Sequence, residues 1–361
     1  MKLKISYRKE QSTLANKSFS PSAQKPEKLI SAIESSGVEH QFIDFPPLTA
    51  ELLSETHSKE YVTGLLNCTI SNGFGNRSSD VAKSLPYTTG SFVAAGLEAF
   101  RSKSCVLSPT SGFHHAHYNH GGGFCSLNGI IVAAQELLKA GVKKMAIIDL
   151  DNHYGDGTES LIAKHNLRSK IDHYTFGGDS VTEATAEQWL SYLPRLLEKY
   201  KESEIWLVQL GADPYIFDEL GGRLTMDQLY RRDKILFETA KKYRIPVAWN
   251  LAGGYAKKFE DVIQIHMNSI KAYFDAFRPA VSTSKKLKTA KPTKSKSHPR
   301  LPKFTVKQAE NLERFRSKQE KRLPGAKLSM ADLILLLIDQ IPGPDEQELE
   351  ILDFLEKLED L

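Results

Sequence analysis

The stretch Met145-Ala146-Ile147-Ile148-Asp149-Leu150-Asp151-Asn152-His153-Tyr154-Gly155-Asp156 decides how this chain is read. Its first four residues are a short apolar run of the kind buried in a parallel sheet. The next eight carry three aspartates and a histidine. Asp151 and His153 alternate by two, so on a strand end both would point to the same side. Asp213, in Gly211-Ala212-Asp213, would close the set from a neighbouring strand end. Two carboxylates and one imidazole suit Zn²⁺ or Fe²⁺ and leave coordination positions open.

Similar apolar runs recur at Cys105-Val106-Leu107, Ile205-Trp206-Leu207-Val208 and Pro246-Val247-Ala248-Trp249. Helical patterns lie over 128–140, 186–200 and 226–243. This alternation predicts a doubly wound α/β sheet with helices on both faces. His114-His115, residues 149–153, Asp213 and Gly253-Gly254-Tyr255 each follow one of the runs, on the carboxyl edge where open α/β sheets bind ligands.

An adjacent histidine pair can take a proton from water and give one to a leaving amine. Asp149 and Asp156 are the candidates to orient those rings. His117 and His120 stand close by without an assigned role. Gly123 and Phe124, in Gly121-Gly122-Gly123-Phe124-Cys125, read as a tightly shaped wall. Gly253 and Gly254 let the backbone approach a ligand, and the Tyr255 phenol can stabilise an oxyanion. The residues point to metal-dependent amide hydrolysis.

The chain has 361 residues, 40% of them hydrophobic, enough for one large α/β domain with an appendage. Cys68, Cys105 and Cys125 form no disulfide or metal spacing. The start lacks the apolar run of a secretory signal, and the six apolar residues 333–338 are too few to span a bilayer, so a soluble, cytoplasmic chain without membrane contact is expected. Residues 1–275 balance 31 basic against 31 acidic side chains. The strip 285–303, beginning at Lys285 and ending at Lys303, carries eight positive charges and no negative one, whereas 324–361 carries two positive and ten negative. The expected organisation is a catalytic domain over 1–278, a basic disordered linker over 279–303 and a helical, acidic tail over 304–361. The basic strip reads as a nuclear-import or nucleic-acid contact, or as a solvated linker. A nuclear location, in a host cell if the chain is an exported bacterial effector, is compatible with it.

With these motifs in place, the chain resembles the zinc-dependent histone deacetylase family of the arginase/deacetylase superfamily. The matching segments are Gly112-Phe113-His114-His115-Ala116, Gly123-Phe124-Cys125-Ser126-Leu127-Asn128, 149–158, Gly211-Ala212-Asp213 and 251–255. The resemblance implies a three-layer α/β/α domain with a mostly parallel eight-stranded sheet. It implies zinc on Asp151, His153 and Asp213, with His114 and His115 as tandem acid/base groups supported by Asp149 and Asp156 respectively. Tyr255 would be the transition-state tyrosine, Phe124 one wall of an acyl-lysine tunnel, and K⁺ a structural ion near 149–153. The implied substrates are acylated lysines of proteins, possible histones included.

The chain departs from the family at Gln24-Lys25-Pro26-Glu27-Lys28-Leu29, where an Arg-Pro-Glu-Arg-like motif is usual, and at Tyr154, where many members carry a second histidine. His173-Tyr174-Thr175-Phe176-Gly177-Gly178-Asp179 lacks the long loop that supplies the opposite tunnel wall, which predicts a more open entrance. The alternatives are a polyamine or other small-amine deacetylase, an inactive acyl-lysine reader or scaffold, and an arginase-like two-metal enzyme. Asn152 and Tyr154 stand where the last would want further ligands.

Overall fold

The computed structural model describes residues 1–13, 18 and 20–278. The expected linker over 279–303 and acidic tail over 304–361 lie outside the described residues. Seven strands form one sheet: β1 (Leu3–Ser6), β2 (His40–Ile43), β3 (Cys105–Leu107), β4 (Met145–Asp149), β5 (Ile171–Thr175), β6 (Trp206–Gln209) and β7 (Val247–Asn250). Their order is β2-β1-β3-β7-β6-β4-β5, and every pair is parallel. The helices are α1 (Lys25–Ser35), α2 (Ala50–Leu53), α3 (Lys59–Leu66), α4 (Ser79–Ser102), α5 (Gly129–Lys139), α6 (Asp156–Lys164), α7 (Ala186–Glu198), α8 (Met226–Tyr243) and α9 (Phe259–Phe277).

The three-layer α/β/α expectation holds, with seven strands among the described residues rather than eight. After the edge strand β5 the chain makes two short 3₁₀ turns, enters α7 and returns to the sheet interior at β6. That short connection has no further edge strand in it.

Strand alternation sorts the two cores. Ala146, Ile148, Trp206, Val208 and Trp249 pack with Leu29, Trp189, Leu193, Phe237 and Tyr273, on the side of α1, α7, α8 and α9. Ile147, Leu207, Val106 and Ala248 face the other way, onto Val62, Phe92, Ile131 and Leu161 of α3, α4, α5 and α6. Successive residues of β4 and β6 are thus buried on opposite faces, which is why those segments read as continuous apolar runs. Helix α7 carries Trp189, Leu190, Leu193, Leu196 and Leu197 at helical spacing on its buried stripe. Asn128 caps α5 by accepting the Ile131 amide, and Thr225 with Gln228 forms a capping box on α8.

For function the decisive feature is that β3, β7, β6 and β4 are consecutive in the sheet. Their carboxyl ends deliver four loops to one place. The loops after β3 and β7 are tied by a parallel bridge between Ser111 and Ala252. The Phe113 amide also donates to the Gln209 side chain at the end of β6, 3.0 Å away.

Candidate metal centre and active site

Strand β4 ends at Asp149, and Asp151 to His153 form a bend beyond it. Alternation along a strand therefore does not bring Asp151 and His153 together, as the sequence reading supposed. Side chain-to-backbone bonds do. Asp151 Oδ1 accepts the His153 amide at 3.0 Å, and Asp213 Oδ1 accepts the Asn152 amide at 3.2 Å. His153 Nδ1 then lies 2.9 Å from Asp213 Oδ2 and 3.2 Å from Asp151 Oδ1. One ligand atom from each of the three lies within 4.8 Å of the others.

Both carboxylates are buried. Burial and the adjacent Asp151 charge push the Asp213 carboxyl up to about 8, since two desolvated anions in contact resist joint ionisation. A divalent cation between them removes that conflict, so the donor set fits one. His153 Nε2 donates to the Leu220 carbonyl 2.9 Å away, so a cation held between the three side chains would meet the electron pair of Nδ1. The Gly253 amide donates to Asp151 Oδ2 at 2.7 Å. Glycine is required there: a Cβ on Gly253 would stand 2.5 Å from Asp213 Oδ2 and 2.7 Å from Asp151 Oδ2.

The two histidines of the loop after β3 pack against each other with ring centroids 4.1 Å apart and ring planes tilted by 54°. His114 is buried, its Nδ1 2.7 Å from Asp149 Oδ2 and its Nε2 3.6 Å from Asp151 Oδ1. Burial alone would lower its pKa, but the Asp149 and Asp151 charges prevail and lift it to about 9. His115 Nδ1 lies 2.7 Å from Asp156 Oδ1, on the first residue of α6. Its pKa is lowered by burial and by the neighbouring His114, against the pull of Asp156. Gly123, at φ +51°, lies so close to the His115 ring that a Cβ there would be 2.3 Å from its Cδ2.

A cavity of about 100 Å³ joins His114, His115, Asp151 and His153 to Phe124 and Tyr255. The Phe124 and Tyr255 rings are 5.2 Å apart, and Phe74 continues the aromatic side at 5.8 Å from Phe124. Phe124 and Ala252 both hold a left-handed backbone, at φ +63° and +44°, a conformation that non-glycine residues rarely adopt and that clusters at functional sites. Tyr255 is almost wholly buried, and burial with the Asp151 and Asp213 charges raises its hydroxyl well above the ordinary value, so it stays protonated. Gly254, at φ +146°, lets the chain turn there against Val262 and Ala212.

Leu220, on the loop after β6, lines the cavity where the shortened segment after β5 supplies no aromatic wall. Phe176 is fully buried, with its ring 4.6 Å from Trp189.

Three contributors had no role assigned from the sequence. Lys25 is fully buried and donates its ammonium to the Ala252 carbonyl. Asp218 accepts the Tyr255 amide at 2.5 Å and the Leu220 amide at 2.9 Å. Ser22 lines the cavity. Lys25 was visible only as the departure from an arginine-bearing motif. Nothing in the local sequence of Asp218 or Ser22 marks them.

This three-layer sheet is similar to the histone deacetylase fold, as the resemblance in the sequence implied. Residues 20–179 match the family model described as histone deacetylase domain. An uncharacterised protein of Picosynechococcus is 27% identical over 253 residues, 62% of this chain and 82% of that protein. Histone deacetylase 2 of Arabidopsis thaliana is 28% identical over 194 residues, 48% of this chain and 50% of that protein, so the chain spans about half of that relative. Among solved structures, the HD domain of HDA15 matches with a TM-score of 0.63 at 17% identity, covering 78% of this chain and 92% of that one. An acetylpolyamine aminohydrolase from Burkholderia pseudomallei matches with a TM-score of 0.62 at 15% identity, covering 76% and 99%. At such identities the structural likeness is one of fold. The match to the histone deacetylase domain thus covers residues 20–179, and the chain is similar to proteins of that family. Among the described residues no helix is long and apolar enough to cross a membrane.

Proposed function

We propose that this chain is a metal-dependent amidohydrolase that removes acyl groups from lysine side chains of proteins, histones among the candidates. The observation that carries the reading is the convergence of three ligand atoms within 4.8 Å of one another on a tandem histidine pair in which each ring has its own carboxylate. Zinc, or iron(II), held by Asp151, His153 and Asp213, would supply Lewis acidity toward the amide carbonyl and toward water. The further K⁺ of this reading is a structural ion near 149–153.

The chain's own groups do the rest. Asp156 holds the His115 ring with its proton on Nδ1, which leaves Nε2 to accept a proton from water as the new C–O bond forms. The protonated Tyr255 hydroxyl donates to the carbonyl oxygen as negative charge develops there. The histidine pair returns a proton to the lysine nitrogen as the C–N bond breaks, giving a carboxylate and a free amine. Phe124 and Phe74 line the approach of the alkyl chain, with Gly123, Gly253 and Gly254 providing the close backbone.

One feature favours a polypeptide over a polyamine. A polycation needs several exposed carboxylates at the rim; of the two in this loop Glu219 is exposed, but Asp218 is only 8% exposed and its oxygens are engaged by backbone amides. Its neighbours Phe217 and Leu220 are instead 66% and 41% exposed, an apolar rim suited to residues flanking a lysine. The open side at Leu220 suits acyl groups longer than acetyl. Turnover of acetyl-, crotonyl- and longer acyl-lysine histone peptides against acetylpolyamines, with and without chelator and beside Tyr255→Phe, tests this. Chelator-sensitive peptide turnover lost in the variant is expected; turnover of acetylpolyamines alone would transfer the assignment to the small-amine reading. The basic strip from Lys285 to Lys303 is proposed as a nuclear-import or phosphate contact, and diffuse distribution of a reporter fused to it would reject nuclear targeting.

A further inference from the structure

We propose that His117 is a positioning residue for the reaction, acting on His115 through Asp156. The inference rests on the reading of His115 as a proton-transfer group. Asp149, the partner of His114, is buried, and its second oxygen accepts the Asp151 amide at 3.1 Å. Asp156 has no such enclosure: its side chain is 51% exposed at the start of α6. Rotation about the terminal torsion of an aspartate is soft, so one hydrogen bond to an exposed carboxylate would not by itself fix the His115 ring. In this chain both oxygens are engaged. Oδ1 takes His115 Nδ1 at 2.7 Å and the Gly157 amide at 2.9 Å, while Oδ2 lies 3.3 Å from His117 Nε2.

His117 is itself held for that task. Its carbonyl accepts from His57 Nδ1 at 2.8 Å, and its amide donates to the His120 carbonyl at 2.9 Å. Its ring lies flat on that of His120, with centroids 4.5 Å apart and an interplanar angle of 10°. Backbone and ring are thus both fixed, and the imidazole presents Nε2 to Asp156. The arrangement gives the two histidines that carried no role in the sequence a joint one: His120 supports His117, and His117 orients the carboxylate that orients His115.

The test compares wild type, His117→Ala and His117→Gln, the last retaining an N–H donor, each also in an Asp156→Asn background. With an acyl-lysine peptide, His117→Ala should lower kcat about five- to tenfold, at the low end of what outer-shell partners contribute. KM and metal content should stay unchanged, and His117→Gln should recover most of the rate. In the Asp156→Asn background the alanine change should have no further effect. Independently of turnover, the His115 Hδ1 resonance of ¹⁵N-histidine-labelled protein should be sharp in wild type and exchange-broadened in His117→Ala. A wild-type kcat and an unbroadened resonance in His117→Ala would overturn the proposal, as would a rate loss that persists undiminished beside Asp156→Asn. Wild-type protein that hydrolyses no acyl amide would instead remove the deacylase reading, and the resonance would still report on the clamp.

Discussion

His114 Nδ1 and Asp149 Oδ2 are 2.7 Å apart, and neither side chain meets solvent appreciably. This pair sets the proton on Nδ1 and aims Nε2 at the carboxylates around the metal position. Asp149→Asn keeps an oxygen for the Asp151 amide but turns an N–H toward His114. The imidazole must then accept at Nδ1 and carry its proton on Nε2, the wrong tautomer for that geometry. Acyl-lysine turnover should fall on the order of 100-fold or more, as when an aspartate behind a catalytic histidine becomes asparagine. Circular dichroism should show an intact fold, and near wild-type kcat would contradict the assignment.

A second expectation concerns Gly253. An added methyl would meet both ligand carboxylates at their oxygens, with the Gly253 amide already committed to Asp151. Gly253→Ala should therefore weaken zinc binding about tenfold or more while leaving both packed cores in place. Competition with a chromophoric chelator gives the affinity and a thermal melt of the metal-free protein gives the stability. Equal affinities would mean that the loop yields without moving Asp151 or Asp213.

The central strands were legible because each is buried on both faces and reads as an unbroken apolar run; β3 spans Cys105–Leu107 as expected, and β6 and β7 are displaced by one residue. Strands β1, β2 and β5 were not, because polar residues interrupt them: β2 is His40-Gln41-Phe42-Ile43 on an edge, with no residue buried. The convergence of His114, Asp151, His153, Asp213 and Tyr255 could be anticipated, since each follows a strand of one parallel sheet. The means of convergence could not. The bend after Asp149 is held by side chain-to-amide bonds whose partners lie up to 61 residues apart. Lys25 is 227 residues from the carbonyl it holds, so no local pattern announces it.

Lys25 leads to a third prediction. Burial lowers its ammonium to about 8 against the opposing attraction of Asp213, Asp151 and Asp218, and its hydrogen bond restrains the strained Ala252 in front of Gly253 and Tyr255. Lys25→Met fills similar space, and removing a buried charge offsets the lost bond, so global stability should change by no more than about 1 kcal/mol. The rate should nonetheless drop about tenfold, because Tyr255 and Gly253 lose their anchor. Urea denaturation beside kcat separates the two effects; a loss of stability without a loss of rate would reverse the argument.

His57 offers a test by pH. Its ring is buried between the His117 carbonyl, 2.8 Å from Nδ1, and the Asn128 amide, which donates to Nε2 at 3.0 Å. It thereby pins the histidine loop to the start of α5 and must be neutral to do so. Burial depresses its pKa from 6.5 to about 4, with the nearby His165 adding to the shift. Between those values the unfolded chain binds a proton that the folded chain refuses, so stability is complete above pH 6.5 and declines as the pH falls toward 4. A shift of that size corresponds to about 3 kcal/mol at the acid end. His57→Gln can donate to the carbonyl and accept the amide without titrating. Denaturation at pH 7.5, 5.5 and 4.5 should show the wild type losing stability faster than the variant by about that amount. Parallel curves for the two proteins would mean that His57 titrates normally and does not hold the loop in this way.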